Sequence, residues 1–240
     1  MHSKVSFDPK QTFFVLDFDR TIANTDKFHE ILEETIGEKT TISVDFLHHA
    51  RFQAEAAGLS FDTIQYLRDY LKDTESDLSW PDIQRSFIAK AQSEDMLEPG
   101  ARALLAALEK SSIRYGIMTY GGEAWQLAKI EAANLSGVPR LVTRLQQKGI
   151  ILTEWKQSTG DFLIPPLLTK EFEPVLVRTI VFLDDKAVSF KDIPEGVIGI
   201  RIRPPEGIKL EAQKGTVPDG VIEVDGIPGA LQVLFEVDKS

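Results

Sequence analysis

Short apolar runs alternate with amphipathic segments over most of the chain. The run FFVLDF (13–18) has the length of a strand and is apolar at nearly every position, which is typical of a strand buried on both faces of a sheet. Six further stretches have the character of strands: 113–120, 141–145, 149–155, 179–185, 197–203 and 221–224. Amphipathic segments predict helices between or after them, at 101–111, 123–135, 170–177 and 228–236. This alternation predicts an α/β fold with a doubly wound parallel sheet covered by helices on both faces.

One segment breaks the alternation. Residues 24–96 contain no clear strand and instead predict a block of three or four helices. Three of these have periodic apolar positions, at 42–58, 60–73 and 80–92, and the last has Ser79 as a candidate N-cap with a proline in its first turn. We therefore expect an α/β core made of residues 1–23 and 97–240, with an all-helical domain of residues 24–96 inserted into it.

Composition and charge narrow the class of protein. The 240 residues are 42% hydrophobic and 27% charged, as in an ordinary globular protein, and the absence of cysteine excludes disulfides and thiolate metal sites. No apolar run is long enough to span a bilayer, and the apolar stretch near the N-terminus is too short for a secretory signal, so we expect a cytoplasmic protein without a membrane partner. The net charge of −10 argues against a nucleic-acid partner. The oligomeric state stays open.

Polar residues follow the three most apolar strands. Asp17, Asp19 and Thr21 come at the end of the first strand, Thr119 at the end of the second, and Asp184 with Asp185 at the end of the third. Ligands of open parallel sheets bind outside the carboxyl ends of the strands. If these strands are neighbours, four carboxylates meet there and repel one another, and a divalent cation would relieve the repulsion. An all-oxygen set of ligands favours Mg²⁺.

Each motif by itself has a simpler explanation. An Asp-x-Asp sequence after a strand is often a turn or a helix cap, a threonine there is more often a cap than a ligand, and a pair of aspartates commonly forms a turn. The occurrence of all three, in this order and on the three most apolar strands, favours a functional site.

The motifs resemble those of the haloacid dehalogenase-like superfamily. DFDRT (17–21) matches its first motif, IMTYG (117–121) its second and FLDD (182–185) its fourth. The resemblance covers the whole predicted core, and it implies a Rossmann-like core with a helical cap at 24–96. Superfamily members with an aspartate at the position of Asp19 are mostly phosphatases or phosphomutases, whereas true dehalogenases usually lack it. Arg20 stands where the superfamily commonly has glycine.

The resemblance also implies a role for each site residue. Asp17 is expected to attack phosphorus, and Asp19 to act as general acid and base, a task that neighbours would ease by raising its pKa. Mg²⁺ is expected on Asp17, the carbonyl of Asp19, and Asp184 or Asp185. The phosphoryl oxygens are expected to bind the Thr119 hydroxyl, the backbone amides of Tyr120 and Gly121, and a lysine.

That lysine, the third motif of the superfamily, has two candidates. Lys170 begins a predicted helix just ahead of the FLDD strand, and this position favours it, although its separation from Asp184 is short. Lys156 has a better separation but follows a less regular segment. Either residue is also typical of a surface lysine.

Three functional hypotheses follow. The first is a Mg²⁺-dependent phosphomonoester hydrolase that acts on a small phosphorylated metabolite through an aspartyl-phosphate. The second is a phosphomutase, in which a substrate hydroxyl instead of water accepts the phosphoryl group. The third is a catalytically idle binding or regulatory protein on the same fold. Mutually repelling carboxylates have no purpose in an idle site, which speaks against the third.

Overall fold

The central feature of the fold is a six-stranded parallel sheet. The computed structural model describes residues 5–39, 43, 45–56, 61–73, 79–203 and 215–235. The strands of the sheet lie in the order β3-β2-β1-β6-β7-β8. Their bounds are β1 Thr12–Leu16, β2 Arg114–Tyr120, β3 Arg140–Thr143, β6 Thr179–Asp184, β7 Val197–Arg203 and β8 Ile222–Asp225. Two short strands, β4 Phe162–Ile164 and β5 Val175–Val177, form a separate antiparallel pair.

Helices connect most of the strands. In the described part of the chain, five helices lie between β1 and β2, and one helix follows each of β2, β3 and β8. Their bounds are α1 Thr25–Lys39, α2 Asp45–Ala56, α3 Thr63–Asp73, α4 Trp80–Gln92, α5 Ala101–Lys110, α6 Glu123–Ala132, α7 Lys148–Trp155 and α8 Gly226–Leu234. None of the helices described here is both long and apolar enough to cross a lipid bilayer.

Strand β1 is the centre of the core. All five of its residues are buried, and it pairs in parallel with β2 on one side and with β6 on the other. Phe14 and Leu16 face a core shared with α5, α6 and α8, whereas Phe13 and Val15 face a second core shared with α7. An apolar side chain of this size stabilises the fold by about 2 kcal/mol when fully buried, so β1 holds both layers of helices to the sheet.

The α/β fold predicted from the alternation of apolar and amphipathic segments is confirmed. Helices α1 to α4 occupy the segment predicted to be all-helical, and the apolar side chains of α1 and α4 continue the core on the α6 side of the sheet. The division of the chain into a catalytic core and a separate cap domain stays a prediction. The last residues of the predicted helix 42–58 and the first of 60–73 lie outside the described residues.

Two predicted elements are wrong. Residues 149–155 form most of helix α7 instead of a strand. Their apolar side chains pack on the second core, and their backbone groups form hydrogen bonds within the helix. Residues 170–177 do not form a helix: the segment before Pro174 consists of exposed bends, and the segment after it is strand β5, which pairs with β4. Both errors lie between β3 and β6, where short β-branched or proline-containing segments have no clear period.

Candidate active site

The carboxyl ends of β1 and β6 bring three aspartates together. The amide of Asp17 donates to the carbonyl of Leu183 at 2.9 Å, which extends the pairing of the two strands by one residue. Asp17, Asp184 and Asp185 are buried, and each offers a carboxylate oxygen within 4.8 Å of the others. The predicted meeting of the first and fourth motifs is therefore what the strand order produces.

A buried lysine lies between two of these carboxylates. The ammonium of Lys148 contacts the Oδ1 of Asp17 and lies 2.6 Å from the Oδ2 of Asp184. The Thr21 hydroxyl donates to the other oxygen of Asp17 at 2.9 Å, and the amide of Lys186 donates to the other oxygen of Asp184 at 2.8 Å. Both oxygens of each carboxylate are thus held in place.

The start of helix α7 delivers this lysine. Lys148 is its first residue and follows strand β3 by a short loop, at the same carboxyl edge of the sheet as the aspartates. The next residue is a glycine because the backbone passes very close to another segment: a Cβ on Gly149 would stand 2.1 Å from the carbonyl oxygen of Lys191. The close approach allows the Lys148 side chain to reach between Asp17 and Asp184.

Neither candidate lysine lies against the clustered aspartates, and the position expected for Lys170 is wrong. Lys170 lies in the exposed bends before β5 and forms no ion pair with any residue that the structure describes. Its predicted helix does not form, so nothing directs it to the site. Lys156 follows the last residue of α7 and donates to the carbonyl of Glu195 at 2.8 Å. Lys148, the residue just before the predicted strand 149–155, lies between the carboxylates, where the lysine of the third motif was expected.

Burial and charge act strongly on Asp17. Removal from water, together with the negative charges of Asp184 and Asp185, raises the pKa of Asp17 to about 7, although the Lys148 ammonium opposes the shift. For Lys148, burial works against the charged form, but the two carboxylates in contact with it outweigh burial and hold its pKa above the ordinary value. When all three aspartates are ionised, the cluster has more negative charge than the single ammonium neutralises.

Asp19 lies apart from this cluster, and other residues hold it. Its carboxylate contacts the Lys129 ammonium, accepts a hydrogen bond from Gln126 Nε2 at 2.8 Å, and accepts another from the Thr25 hydroxyl at 2.8 Å. Burial alone would raise the pKa of Asp19, but Lys129 and these hydrogen bonds outweigh it and hold the pKa well below its ordinary value. The expectation that neighbours raise this pKa is therefore wrong for the structure as it stands.

The loop that follows Asp17 is a tight turn. The carbonyl of Phe18 accepts hydrogen bonds from the amides of Ile22 and Ala23, and the amide of Arg20 donates to the carbonyl of Ala23 at 2.9 Å. Arg20 adopts a left-handed conformation with φ of 56°, which glycine tolerates better than any residue with a Cβ. This left-handed conformation explains why glycine is common at the corresponding position of the superfamily. The Arg20 guanidinium pairs with Asp26 at 2.5 Å.

The second motif provides a buried hydroxyl. Thr119 is fully buried at the end of β2, and its Oγ1 makes no hydrogen bond with a described residue. The amide of Gly121 already donates to the carbonyl of Thr143 at 3.2 Å, so this predicted phosphate donor is engaged within the sheet edge. Tyr120 is half-buried, and its ring lies 5.7 Å from the Lys186 ammonium. Among the side chains of this motif, the buried Thr119 hydroxyl thus has its bonding capacity left.

The donor set of the three clustered aspartates fits a hard divalent cation. Their carboxylates are buried and close together, and when all three are ionised they carry more negative charge than the single Lys148 ammonium neutralises. Mg²⁺ prefers oxygen ligands of this kind. The Asp19 side chain lies outside this cluster of three carboxylates, and its oxygens accept bonds from Lys129, Gln126 and Thr25. Only its backbone carbonyl could take part, as the resemblance implies.

Sequence reasoning missed two lysines of the site. Lys148 follows a correctly predicted strand, and a lysine just beyond the carboxyl end of a parallel strand is a usable signal. Lys129 lies inside helix α6 at a position surrounded by apolar residues, and it is only 2% exposed. A lysine in the buried stripe of an amphipathic helix needs a partner, and this is the signal that could have drawn attention to it.

Comparison with known proteins identifies the fold. No protein-family model and no curated protein matches the chain. A protein of Burkholderia xenovorans LB400 described as a haloacid dehalogenase-like hydrolase has 17% sequence identity over 92% of this chain and 95% of its own, with a TM-score of 0.64. YfnB of Bacillus subtilis, described as a HAD hydrolase and bound to magnesium, has 14% identity over 93% and 98% of the chains, with a TM-score of 0.52. A HAD phosphatase of Thermococcus onnurineus has 17% identity over 92% and 96%, with a TM-score of 0.53. The chain has the fold of the haloacid dehalogenase-like hydrolases, as its motifs predicted.

Proposed function

We propose that the protein is a Mg²⁺-dependent phosphomonoester hydrolase that forms an aspartyl-phosphate on Asp17 and acts on a small phosphorylated metabolite. The observation that carries this proposal is the buried group of Asp17, Asp184 and Asp185 with the Lys148 ammonium between two of them. The names of the structural neighbours support the same class, since one is described as a phosphatase and another is bound to magnesium.

Asp17 is the nucleophile in this proposal. One of its oxygens bonds to phosphorus while the bond from phosphorus to the alcohol oxygen breaks, and the leaving oxygen takes its proton from the Asp19 carboxyl. Water then attacks phosphorus and gives a proton back to Asp19, and the bond between phosphorus and Asp17 breaks to release phosphate. A carboxylate needs no base to become a nucleophile, but it must be ionised. Contact with Lys148 favours the ionised form of Asp17.

Charge on the phosphoryl oxygens must be neutralised as the bonds change. Lys148 is close enough to Asp17 to interact with a phosphoryl group attached there, and its raised pKa keeps the ammonium charged. The buried Thr119 hydroxyl has no described partner and is available to donate to the same group. Preorganised donors of this kind, in a site with little water, lower the barrier by several kcal/mol.

Mg²⁺ would be held by Asp17, the carbonyl of Asp19, and Asp184 or Asp185. When bound, it shields the anionic phosphoryl group from the anionic nucleophile. The substrate also affects Asp19: a phosphomonoester adds negative charge next to this carboxylate, and negative charge raises the pKa of a neighbouring acid. The low pKa of Asp19 in the structure as it stands therefore does not prevent it from taking up a proton once a substrate binds.

Release of phosphate from p-nitrophenyl phosphate tests the proposal. We expect turnover with Mg²⁺, none after removal of the metal with EDTA, and recovery when Mg²⁺ is added back. Ca²⁺ should inhibit, because its larger and looser coordination shell would misplace the nucleophile. Asp17→Asn should lower turnover at least about 10⁴-fold, since the amide cannot act as an anionic nucleophile. Asp219→Asn, at an exposed position, is the matched control and should leave turnover unchanged.

The outcomes separate the alternatives. Full activity in EDTA, or retention of more than a few per cent of activity in Asp17→Asn, would overturn the mechanism. A screen of phosphorylated metabolites distinguishes hydrolase from phosphomutase, because free phosphate accumulates in the first case and an isomer in the second. A protein that turns over no phosphomonoester of the panel, with Mg²⁺ present, would favour an idle binding module.

A further inference from the structure

We propose that Lys129 and Gln126 of helix α6 are positioning residues for Asp19, and that they hold its carboxylate where it can exchange a proton with the leaving oxygen. This inference rests on the proposed function, because it assigns a purpose to groups that surround the proposed acid and base. It goes beyond that function in naming two residues of a helix that carries none of the recognised motifs.

The contacts of Asp19 come from two helices. Lys129 contacts its Oδ1, the Thr25 hydroxyl at the start of α1 donates to the same oxygen, and Gln126 Nε2 donates to Oδ2. Lys129 forms an ion pair with no other carboxylate in the described part of the chain. Three donors on two oxygens fix the orientation of the carboxylate, and two of the three come from α6.

Stability does not explain a lysine at this position. Lys129 is almost completely buried, and its ammonium lies 5.7 Å from the centre of the Phe18 ring and 5.4 Å from that of Trp125. The two rings offset part of the cost of burying the charge, but an apolar side chain would fill the same space without that cost. Replacing a buried ion pair by apolar residues is often neutral or stabilising, so such a pair is weak evidence of a structural role.

Gln126 also links Asp19 to the second motif. Its Nε2 donates both to Asp19 and to the carbonyl of Tyr120, at 2.8 and 2.9 Å. Tyr120 directly follows Thr119, whose hydroxyl is the proposed donor to the phosphoryl group. One amide group thus sets the distance between the end of β2 and the proposed proton carrier. The Gln126 amide also lies close against the backbone of Gly121, where a Cβ would stand 2.6 Å from the Gln126 Nε2. The absence of a side chain at Gly121 leaves room for this arrangement.

Two aryl esters of nearly equal size test the inference through their leaving groups. Phenyl phosphate releases phenol, whose pKa of about 10 is that of a tyrosine side chain, so its oxygen needs a proton as the bond breaks. The leaving group of p-nitrophenyl phosphate is far more acidic and needs it much less. With enzyme in excess over ester, the first turnover reports release of the phenol alone. We expect Lys129→Met to slow this release about 100-fold for phenyl phosphate and less than about tenfold for p-nitrophenyl phosphate.

A double-mutant cycle separates positioning from packing. In a protein that already carries Asp19→Asn, adding Lys129→Met should change phenol release less than about twofold, because the group that Lys129 positions is gone. A packing role would persist in that background. Lys110→Met, at an exposed position near the end of α5, is the control for loss of a lysine and should change neither ester. If Lys129→Met does not fold, Gln126→Met keeps both charges and should still slow phenyl phosphate more than p-nitrophenyl phosphate.

The results distinguish this inference from the proposed function. If the wild-type protein releases neither phenol, the proposed function is wrong and the inference falls with it. If the wild-type protein is active but Lys129→Met or Gln126→Met slows both esters equally, or if the two substitutions of the cycle are additive, only the inference is overturned.

Discussion

Two buried lysines approach the aspartates of the first motif from opposite faces of the sheet, and their surroundings differ. Lys148, at the start of α7, is shared by Asp17 and Asp184, and Asp185 lies in the same group. Lys129, within α6, has Asp19 to itself. When every aspartate is ionised, the first group has an excess of negative charge, whereas the second is a neutral pair. The comparison explains why a cation fits on one side of the motif and not on the other.

The charge difference implies different tasks. The Lys148 ammonium contacts two carboxylates. A phosphoryl group can therefore replace one of these contacts while the ammonium stays paired with the other carboxylate. An ammonium paired with a single carboxylate, and further fixed by Gln126 and Thr25 on that carboxylate, acts on its partner's orientation. Substitutions on the two sides should therefore affect different properties of the protein.

Among the lysine substitutions that test this contrast, removal of the Lys148 ammonium should lower turnover the most. We expect Lys148→Met to lower turnover of p-nitrophenyl phosphate by about 10²- to 10³-fold, the size of the loss when one preorganised donor is removed from an anionic transition state. Lys170→Met and Lys156→Met are matched controls, and each should change turnover less than about threefold, because neither side chain reaches the carboxylates. A loss on Lys170→Met equal to that on Lys148→Met would contradict the assignment of Lys148 to the third motif.

The case of this lysine shows how far the sequence could predict the site. The three motif-bearing strands, their parallel pairing and the meeting of Asp17 with Asp184 and Asp185 follow from apolar runs that end in polar side chains, carboxylates on two of them and a threonine hydroxyl on the third. Lys148 does not, because the segment after it is apolar and β-branched like a strand but forms a helix through its packing on the second core. Local composition favours one structure there and tertiary contacts select another.

Lys129 was missed for a different reason. Its helix was predicted correctly, but the ion pair with Asp19 joins residues 110 positions apart in the sequence. Nothing within the helix indicates which carboxylate would meet it. The packing of α6 on the sheet determines that Lys129 meets Asp19. The same contact lowers the pKa of Asp19, which the sequence alone led us to expect to be raised.

The stability of the protein should respond to Asp17 and Asp19 with opposite signs. Asp17 has a raised pKa, so the folded protein keeps its proton to a higher pH than the unfolded chain, and stability falls as pH rises from about 4 to about 7. Asp19 has a lowered pKa, so its contribution is present above about pH 4 and is lost as pH falls below that value. In EDTA at pH 8, we expect Asp17→Asn to stabilise the fold by about 1 kcal/mol and Asp19→Asn to destabilise it by about 3 kcal/mol.

Thermal denaturation at two pH values measures this contrast. At pH 8 the melting temperature should rise by about 3 °C for Asp17→Asn and fall by at least about 6 °C for Asp19→Asn, relative to the wild-type protein. Near pH 4 most of the gain of Asp17→Asn should disappear, since the carboxyl that it replaces is then protonated in the folded state and about half protonated in the unfolded chain. Shifts of the same sign for the two variants at pH 8 would show that the two groups are not electrostatically distinct.

The smallest effect concerns the glycine that admits Lys148 to its place. A methyl group on Gly149 would stand 2.1 Å from the Lys191 carbonyl, so in Gly149→Ala the start of α7 must move away from that segment. We expect a loss of about 1–2 kcal/mol in the free energy of unfolding, as for other insertions into a packed region, and a drop of about tenfold in turnover because Lys148 moves with the helix. Gly37→Ala is the matched control: the position is helical and exposed, nothing lies within 4 Å of the added methyl, and the helix should gain about 0.5–1 kcal/mol with turnover unchanged. Denaturant unfolding and phosphate release, measured on both variants, check the expectation. Unchanged turnover in Gly149→Ala, despite lowered stability, would mean that Lys148 keeps its contacts without the close approach of α7.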